Sequence, residues 1–208
     1  MILIGQYDSP FVRRVAVTLR LYDLPYEHRP WSVWGDADKI ARHNPLRRVP
    51  TLLLDDGTAL VETFAIVDAL DDLVGADKAL LPRSGPVRRD GLRIAALCAG
   101  LADKAVSLLY EPMFRTAPSA AWTDRCKRQI AETLEALETE RARRGTPHWL
   151  GEALSHPDIA LTCALRFTRE AHPGLFDPAR YPALADHAER CESLDPFRAA
   201  YQPITNVV

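Results

Sequence analysis

The sequence predicts a two-part chain, a mixed α/β domain followed by an all-α domain. Three observations carry this. Over roughly the first 75 residues, short β-rich apolar runs alternate with stretches of helical period. A proline- and glycine-rich break follows, Leu81-Pro82-Arg83-Ser84-Gly85-Pro86. Beyond it no convincing strand appears, and the apolar residues keep a helical spacing.

Ile2-Leu3-Ile4 is a short strand ending in Gly5. From Phe11 the period changes: Phe11, Val12, Val15, Leu19 and Tyr22 share one helical face, and Pro25 stops that helix. Tyr26 to Pro30 reads as an edge strand, since a central strand tolerates proline poorly. Asp36 to His43 reads as a short helix. Thr51 to Leu54 and Thr58 to Val61 are two strands of a hairpin turned by Asp56-Gly57. Thr63 to Val74 is a helix ended by Gly75. The order β-α-β-α-β-β-α makes the helix-linked strands parallel and the hairpin antiparallel, a thioredoxin-like arrangement.

In the second part, Leu92 to Phe114 carries helical spacing, with Pro112 kinking or ending it. Cys126, Ile130, Leu134 and Leu137 form one apolar stripe. Pro157 to Glu170 and Pro182 to Cys191 are two further helices, each opened by a first-turn proline. The expected domains are residues 1–76, a linker at 77–86, and an all-helical domain at 87–208.

The 208 residues can bury a substantial core, and the composition is that of a globular protein. A formal net charge of −2 argues against general nucleic-acid binding, which needs cations to neutralise phosphates. No signal peptide or long apolar span is visible, so no membrane partner is expected. Cys98, Cys126, Cys163 and Cys191 form no C-x-x-C pair and read as buried free thiols, with no metal site. That usage points to a reducing cytoplasm.

Ser9 lies where the first strand hands over to the first helix, followed by Pro10. Two readings stand. Ser9 caps the helix, with Pro10 at the favoured first position. Alternatively, the helix start favours a thiolate, to which the Ser9 hydroxyl donates a hydrogen bond. Ser9 is not itself a nucleophile, because no Gly-x-Ser-x-Gly elbow surrounds it. Tyr7 is either a rival hydroxyl donor or a packed aromatic. Val49-Pro50, directly before a strand, is either an ordinary trans opening or a cis turn. The cis form would free the Val49 backbone to pair with a peptide. Glu62-Thr63 opens the third helix, with Thr63 as its natural cap, and offers places for both an ammonium and a carboxylate. Lys39, Arg42, His43, Arg47 and Arg48 are a solvated charged face or, for one or two of them, partners of a ligand carboxylate. Trp31 and Trp34 adjoin them.

These residues resemble the glutathione transferase superfamily over nearly the whole chain. Ser9-Pro10-Phe11-Val12-Arg13-Arg14 is similar to the serine-type motif of bacterial and theta- or beta-like members. Asn44-Pro45 with Val49-Pro50-Thr51 resembles the family's cis-proline segment, and Glu62-Thr63 with Ala65-Ile66 its acidic-hydroxyl signature. Leu154 to Ala160 matches the Ser/Thr-x-x-Asp box, in which Ser155 caps a helix and Asp158 reaches back.

The resemblance implies a cytoplasmic homodimeric detoxification enzyme that conjugates glutathione, as co-substrate, to a small apolar electrophile. It implies that Ser9 holds the thiolate, with Phe11 in the same motif. Val49 and Pro50 would present the backbone to the cysteinyl part, and Glu62 and Thr63 would hold the γ-glutamyl head. Lys39 or Arg48 would meet the glycyl carboxylate, and Asp103 would reach the partner subunit's glutathione. Tyr7, Tyr110 and Phe114, with Trp122, would line an electrophile pocket between the domains. The alternatives are a non-catalytic glutathione-binding module and a specialised lyase, isomerase or peroxidase of the same fold. Thr63 departs from the family's usual serine but keeps the hydroxyl, and Asp68 stands where an aromatic or small residue is common.

Overall fold

The computed structural model describes residues 1–204. It forms two compact units, one of Met1–Pro82 joined by the segment starting at Leu194, the other of Arg83–Ser193. The expected second domain ran to residue 208. Its residues 194–204 belong instead to the first unit, and 205–208 lie outside the described residues.

The first unit runs β1 (Ile2–Ile4), α1 (Pro10–Leu21), β2 (Glu27–Arg29), α2 (Ala37–Ala41), β3 (Thr51–Leu53), β4 (Ala59–Val61) and α3 (Thr63–Val74). The sheet order is β2-β1-β3-β4, with β3 antiparallel to both β1 and β4; β1 and β2, linked through α1, are parallel as expected, but β3, reached from β2 through α2, is not parallel to them. In this register Leu3 stands opposite His28 on one side and Leu52 on the other. Leu3, Ile4 and Leu52 are fully buried, as are Val12, Val15 and Leu19 of α1 and Ile66 and Leu70 of α3. Each such side chain contributes about 1.5–3 kcal/mol of hydrophobic stabilisation. The Asp56-Gly57 turn closes as expected, with Leu54 N–H donating to Thr58 C=O at 2.9 Å. At the end of α1, the Tyr22 hydroxyl binds the buried Asp71 carboxylate of α3 and accepts from Leu80 N–H at 2.8 Å.

The second unit holds α4 (Gly85–Phe114), α5 (Ala120–Ala142), α6 (His156–Ala171) and α7 (Pro182–Glu192). Helix α4 starts at Gly85, inside the expected linker, and continues past Pro112 to Phe114. The Cys126, Ile130, Leu134 and Leu137 stripe is buried. Helix α6 is the core element: every residue from His156 to Leu165 is buried. Its start carries the expected capping box. Ser155 N–H donates to Asp158 Oδ2 at 2.8 Å, and the Ser155 hydroxyl binds the same oxygen. Asp158 does more than close the box. It also accepts from Trp149 N–H at 2.7 Å and sits 3.1 Å from His187 Nε2 of α7. Asp158 and His187 are both fully inaccessible to solvent.

All four cysteines are free and buried. Burial pushes the Cys191 thiol up to about 12.

Candidate functional site

The β1–α1 turn positions Ser9. Gly5 ends β1 at φ +128°, and a Cβ built there would lie 2.5 Å from Val12 Cγ2 and 2.8 Å from Val49 Cβ. Glycine at this point therefore lets the loop bearing Val49 approach the turn bearing Ser9. The chain then enters α1 through Ser9, with φ −65° and ψ 124°, followed by Pro10 at the first helical position.

Ser9 Oγ accepts from Val12 N–H at 3.4 Å, and Ser9 C=O accepts from Arg13 N–H at 2.9 Å. The cap bond uses an oxygen lone pair and leaves the hydroxyl proton to donate elsewhere. Capping and thiolate binding, two competing readings of the sequence, are thus chemically compatible. The first turn of α1 contains no acidic side chain to compete for its positive end. Within that turn, Pro10 has no N–H and Val12 N–H is engaged by Ser9. Phe11 N–H is the first-turn donor for which an α-helix provides no partner of its own.

Tyr7 is placed differently. It is 8% exposed, its hydroxyl lies 2.7 Å from that of Tyr26, and its ring stacks on His28 with centroids 3.9 Å apart. Together with Arg20, Asp23, Leu24 and Pro25 these three rings line a cleft of about 460 Å³. His28 Nε2 stands 2.8 Å from Gly5 C=O. Since a carbonyl only accepts, Nε2 carries the proton. Burial holds the His28 pKa below its ordinary value, against the opposing pull of the Gly5 carbonyl.

The Val49-Pro50 peptide bond is cis. Its loop is tied by Asn44, which is 1% exposed. Asn44 Nδ2 donates to Arg48 C=O at 2.9 Å and to Thr51 Oγ1 at 3.0 Å, while Oδ1 accepts from Leu46 N–H at 3.0 Å. One buried amide thus fixes both ends of the stretch carrying Arg48, Val49 and Pro50.

Glu62 and Thr63 open α3, with a shift from the sequence reading. Glu62, not Thr63, is the cap residue, and Thr63 is the first helical residue, buried with 6% of its surface exposed. Thr63 belongs inside because β4 ends at Val61 and the helix begins without a spacer. Glu62 has φ +66° and ψ 129°. Such a conformation costs a non-glycine residue about 1–3 kcal/mol and concentrates at functional sites. It makes no side-chain bond to its own helix. Its carboxylate instead meets Arg48 at 3.1 Å, with both side chains more than half exposed. The cis-proline loop and the start of α3 are thereby joined by opposite charges.

Lys39 of α2 binds Asp36 at 2.6 Å and sits over the Trp31 ring at 5.9 Å, and Arg47 binds Asp38 at 2.6 Å. Trp31 also faces His43, with ring centroids 6.2 Å apart. In the second unit, Asp103 is exposed on α4 and pairs with Lys104 at 2.9 Å. Tyr110 and Phe114, also on α4, meet edge to face at 5.8 Å, and Trp122 of α5 lies under Lys104 Nζ at 5.4 Å. Among the described residues no group of His, Cys, Asp and Glu side chains is arranged to hold a metal ion. No helix there is long and apolar enough to cross a membrane.

Sequence reasoning missed four residues that support this site. Gly5 read only as a strand end, and Asn44 only as part of the stretch resembling the family's cis-proline segment, with no role of its own. His28 and Gln202 carried no signal. Gln202 Oε1 accepts from Tyr7 N–H at 3.1 Å, a contact spanning 195 residues of chain.

Two family models match the chain, the glutathione S-transferase N-terminal domain over residues 3–78 and the glutathione S-transferase C-terminal domain over residues 120–190. Among solved structures, a glutathione S-transferase from Methylobacterium radiotolerans JCM 2831, in complex with glutathione sulfonate, is 30% identical with a TM-score of 0.89. The match covers 100% of this chain and 98% of that one. A glutathione transferase family member from Pseudomonas fluorescens Pf-5 with bound glutathione is 28% identical with a TM-score of 0.84, over 98% and 99% of the two chains. A probable glutathione S-transferase of rice (Oryza sativa subsp. japonica) is 28% identical over 93% of this chain and 84% of its own length.

Proposed function

The chain belongs to the glutathione S-transferase superfamily, and on that premise we propose that it binds glutathione and transfers it to a small apolar electrophile. The observation that carries the proposal is the Ser9 geometry: a hydroxyl at the start of α1, its lone pair engaged by Val12 N–H and its proton available to a thiolate. Hydrogen bonding and the helix dipole both favour the ionised sulfur, so the thiol loses its proton more readily. The bound thiolate then attacks the electrophile, with proximity supplying the remaining acceleration.

The other roles follow the same division. The Val49 backbone, turned by Pro50, pairs with the cysteinyl part of the tripeptide, beside Phe11. Glu62 takes the γ-glutamyl ammonium and Thr63 its carboxylate. The strained backbone of Glu62 and its exposed carboxylate support this assignment. Lys39 or Arg48 takes the glycyl carboxylate; each is ion-paired within the chain, Lys39 with Asp36 at 2.6 Å and Arg48 with Glu62 at 3.1 Å. Tyr110 and Phe114 supply aromatic surface for the electrophile. The chain works as a homodimer in the cytoplasm, with Asp103 directed to the partner subunit's glutathione. Four unbridged buried thiols fit a reducing compartment.

Retention on immobilised glutathione, followed by turnover of a generic aromatic halide, tests this reading. Retention with conjugation is the expected result. Retention without turnover on a broad electrophile panel would replace it with a glutathione-binding module, and failure to bind would remove it.

A further inference from the structure

The segment from Leu194 returns to the first unit and grips it on both sides of Ser9. Helix α8 (Asp195–Ala199) packs on α1. Arg13, four residues after Ser9, is 1% exposed. Its backbone N–H donates to Ser9 C=O, while its side chain reaches the returning segment. Nε donates to Ala200 C=O at 3.0 Å and Nη2 to Phe197 C=O at 3.0 Å, and the guanidinium carbon lies 5.8 Å from the Phe197 ring centre. A buried guanidinium costs free energy unless its donors are matched. These carbonyls at the end of a short helix lack helical partners of their own. The two needs are met together.

Two residues beyond Ala200, Gln202 accepts from Tyr7 N–H at 3.1 Å. Tyr7 precedes Ser9 by two residues. Its side chain is already fixed by Tyr26 and His28, so its backbone N–H is what the returning segment holds. The Ser9 turn is therefore tethered at residue 7 through Gln202 and at residue 13 through the guanidinium, both to the stretch from Phe197 to Gln202.

We propose that Gln202 is a positioning residue for glutathione binding, holding the β1–α1 turn through Tyr7 N–H, with Arg13 anchoring the stretch that carries it. Gln202 acts through the turn and does not touch the reacting atoms. The proposal rests on the reading of Ser9 as part of the glutathione site. Its physical content is preorganisation: a turn already ordered loses less freedom when the ligand binds.

The test uses the full chain with Gln202→Leu, which removes the acceptor, and Gln202→Glu, which keeps an oxygen in its place. Amide exchange at Tyr7 is read first, without ligand. Gln202→Leu is expected to speed it about tenfold and Gln202→Glu to restore it, as for an N–H losing and regaining its acceptor. Glutathione affinity by calorimetry should weaken about fivefold in Gln202→Leu and recover in Gln202→Glu, with kcat at saturating glutathione held within about twofold. Parent-like Tyr7 exchange and affinity in Gln202→Leu overturn the proposal. So does a loss of affinity that Gln202→Glu fails to rescue, since that marks a merely structural role. Ser9→Ala with an unshifted bound-thiol titration would sink the Ser9 reading alone, because the Tyr7 exchange result does not depend on it.

Discussion

Replacing Gly5 with alanine should damage the fold and the candidate site together. The added Cβ meets Val12 Cγ2 at 2.5 Å and Val49 Cβ at 2.8 Å, where ordinary contact begins near 3.4 Å. Val12 is fully buried in the helix core and has nowhere to go. Val49 is only partly buried, so its loop yields to the second clash, while the contact with Val12 keeps its full overpacking cost. Restoring contact moves the loop by at least 0.6 Å, the difference between 3.4 and 2.8 Å. Overpacking costs about 1–3 kcal/mol. The positive φ costs a residue with a side chain roughly 1–3 kcal/mol more. A loss near 4 kcal/mol lowers Tm by on the order of 10 °C in a chain of this size. Adding Val12→Ala removes the nearest methyl but not the Val49 Cβ, so the double variant recovers only part of the loss. Gly145, where an added Cβ would meet nothing within 4 Å, is the control, and its alanine variant should stay within about 0.5 kcal/mol of the parent. Thermal unfolding and glutathione calorimetry on the same samples measure both effects. A Gly5→Ala protein melting within 2 °C of the parent, on the order of 1 kcal/mol or less, with unchanged affinity would refute the close-approach argument.

Asp158→Ala should cost about 3–5 kcal/mol in urea unfolding, because Trp149 N–H, Ser155 N–H and His187 lose one buried acceptor together; a loss under about 1 kcal/mol would show that Asp158 is not the hub of α6. Burial pushes the Asp158 carboxyl up, but the His187, Ser155 and Trp149 bonds outweigh it and hold it below the ordinary range. Its stabilisation is therefore complete above the unfolded value near 4 and is lost as pH falls through the lower folded value. Burial also lowers the His28 and His172 pKa values, against the Gly5 and Ala105 carbonyls. The unfolded chain then binds more protons just below about pH 6.5, so stability falls as pH drops through that window. His172→Gln should flatten the difference in unfolding free energy between pH 7.5 and 5.5, and an unchanged slope would contradict the burial argument.

Much of the architecture is written in local punctuation. Helix α3 runs from Thr63 to Val74 as expected because Glu62-Thr63 opens it, apolar residues recur at helical spacing, and Gly75 ends it. The Asp56-Gly57 hairpin and the Ser155-Asp158 capping box are equally local. Helix α8 escaped because five residues cannot display a period, and its assignment to the first unit depends on Arg13 contacts spanning 184 and 187 residues. The isomer of Val49-Pro50 was undecidable from sequence because the two forms of an X–Pro bond differ by only about 0.5–1 kcal/mol. At the site, Ser9, Val49 and Glu62 were legible as a spacing of motifs. Their supports were not. Gly5 matters through a contact among three elements, and Asn44 through donors that meet only once the loop has folded.

The central claim is that the Ser9 hydroxyl lowers the pKa of a bound glutathione thiol. Thiolate absorbance in the enzyme–glutathione complex, titrated against pH for the parent and Ser9→Ala, tests it most directly. A hydrogen bond to a charged group is worth about 1.5–3 kcal/mol, so removing it should raise the titration midpoint by roughly 1–2 units. Conjugation below that midpoint should slow about 10- to 100-fold, while glutathione still binds. A midpoint and rate unchanged in Ser9→Ala would contradict the account and leave Ser9 as a helix cap alone.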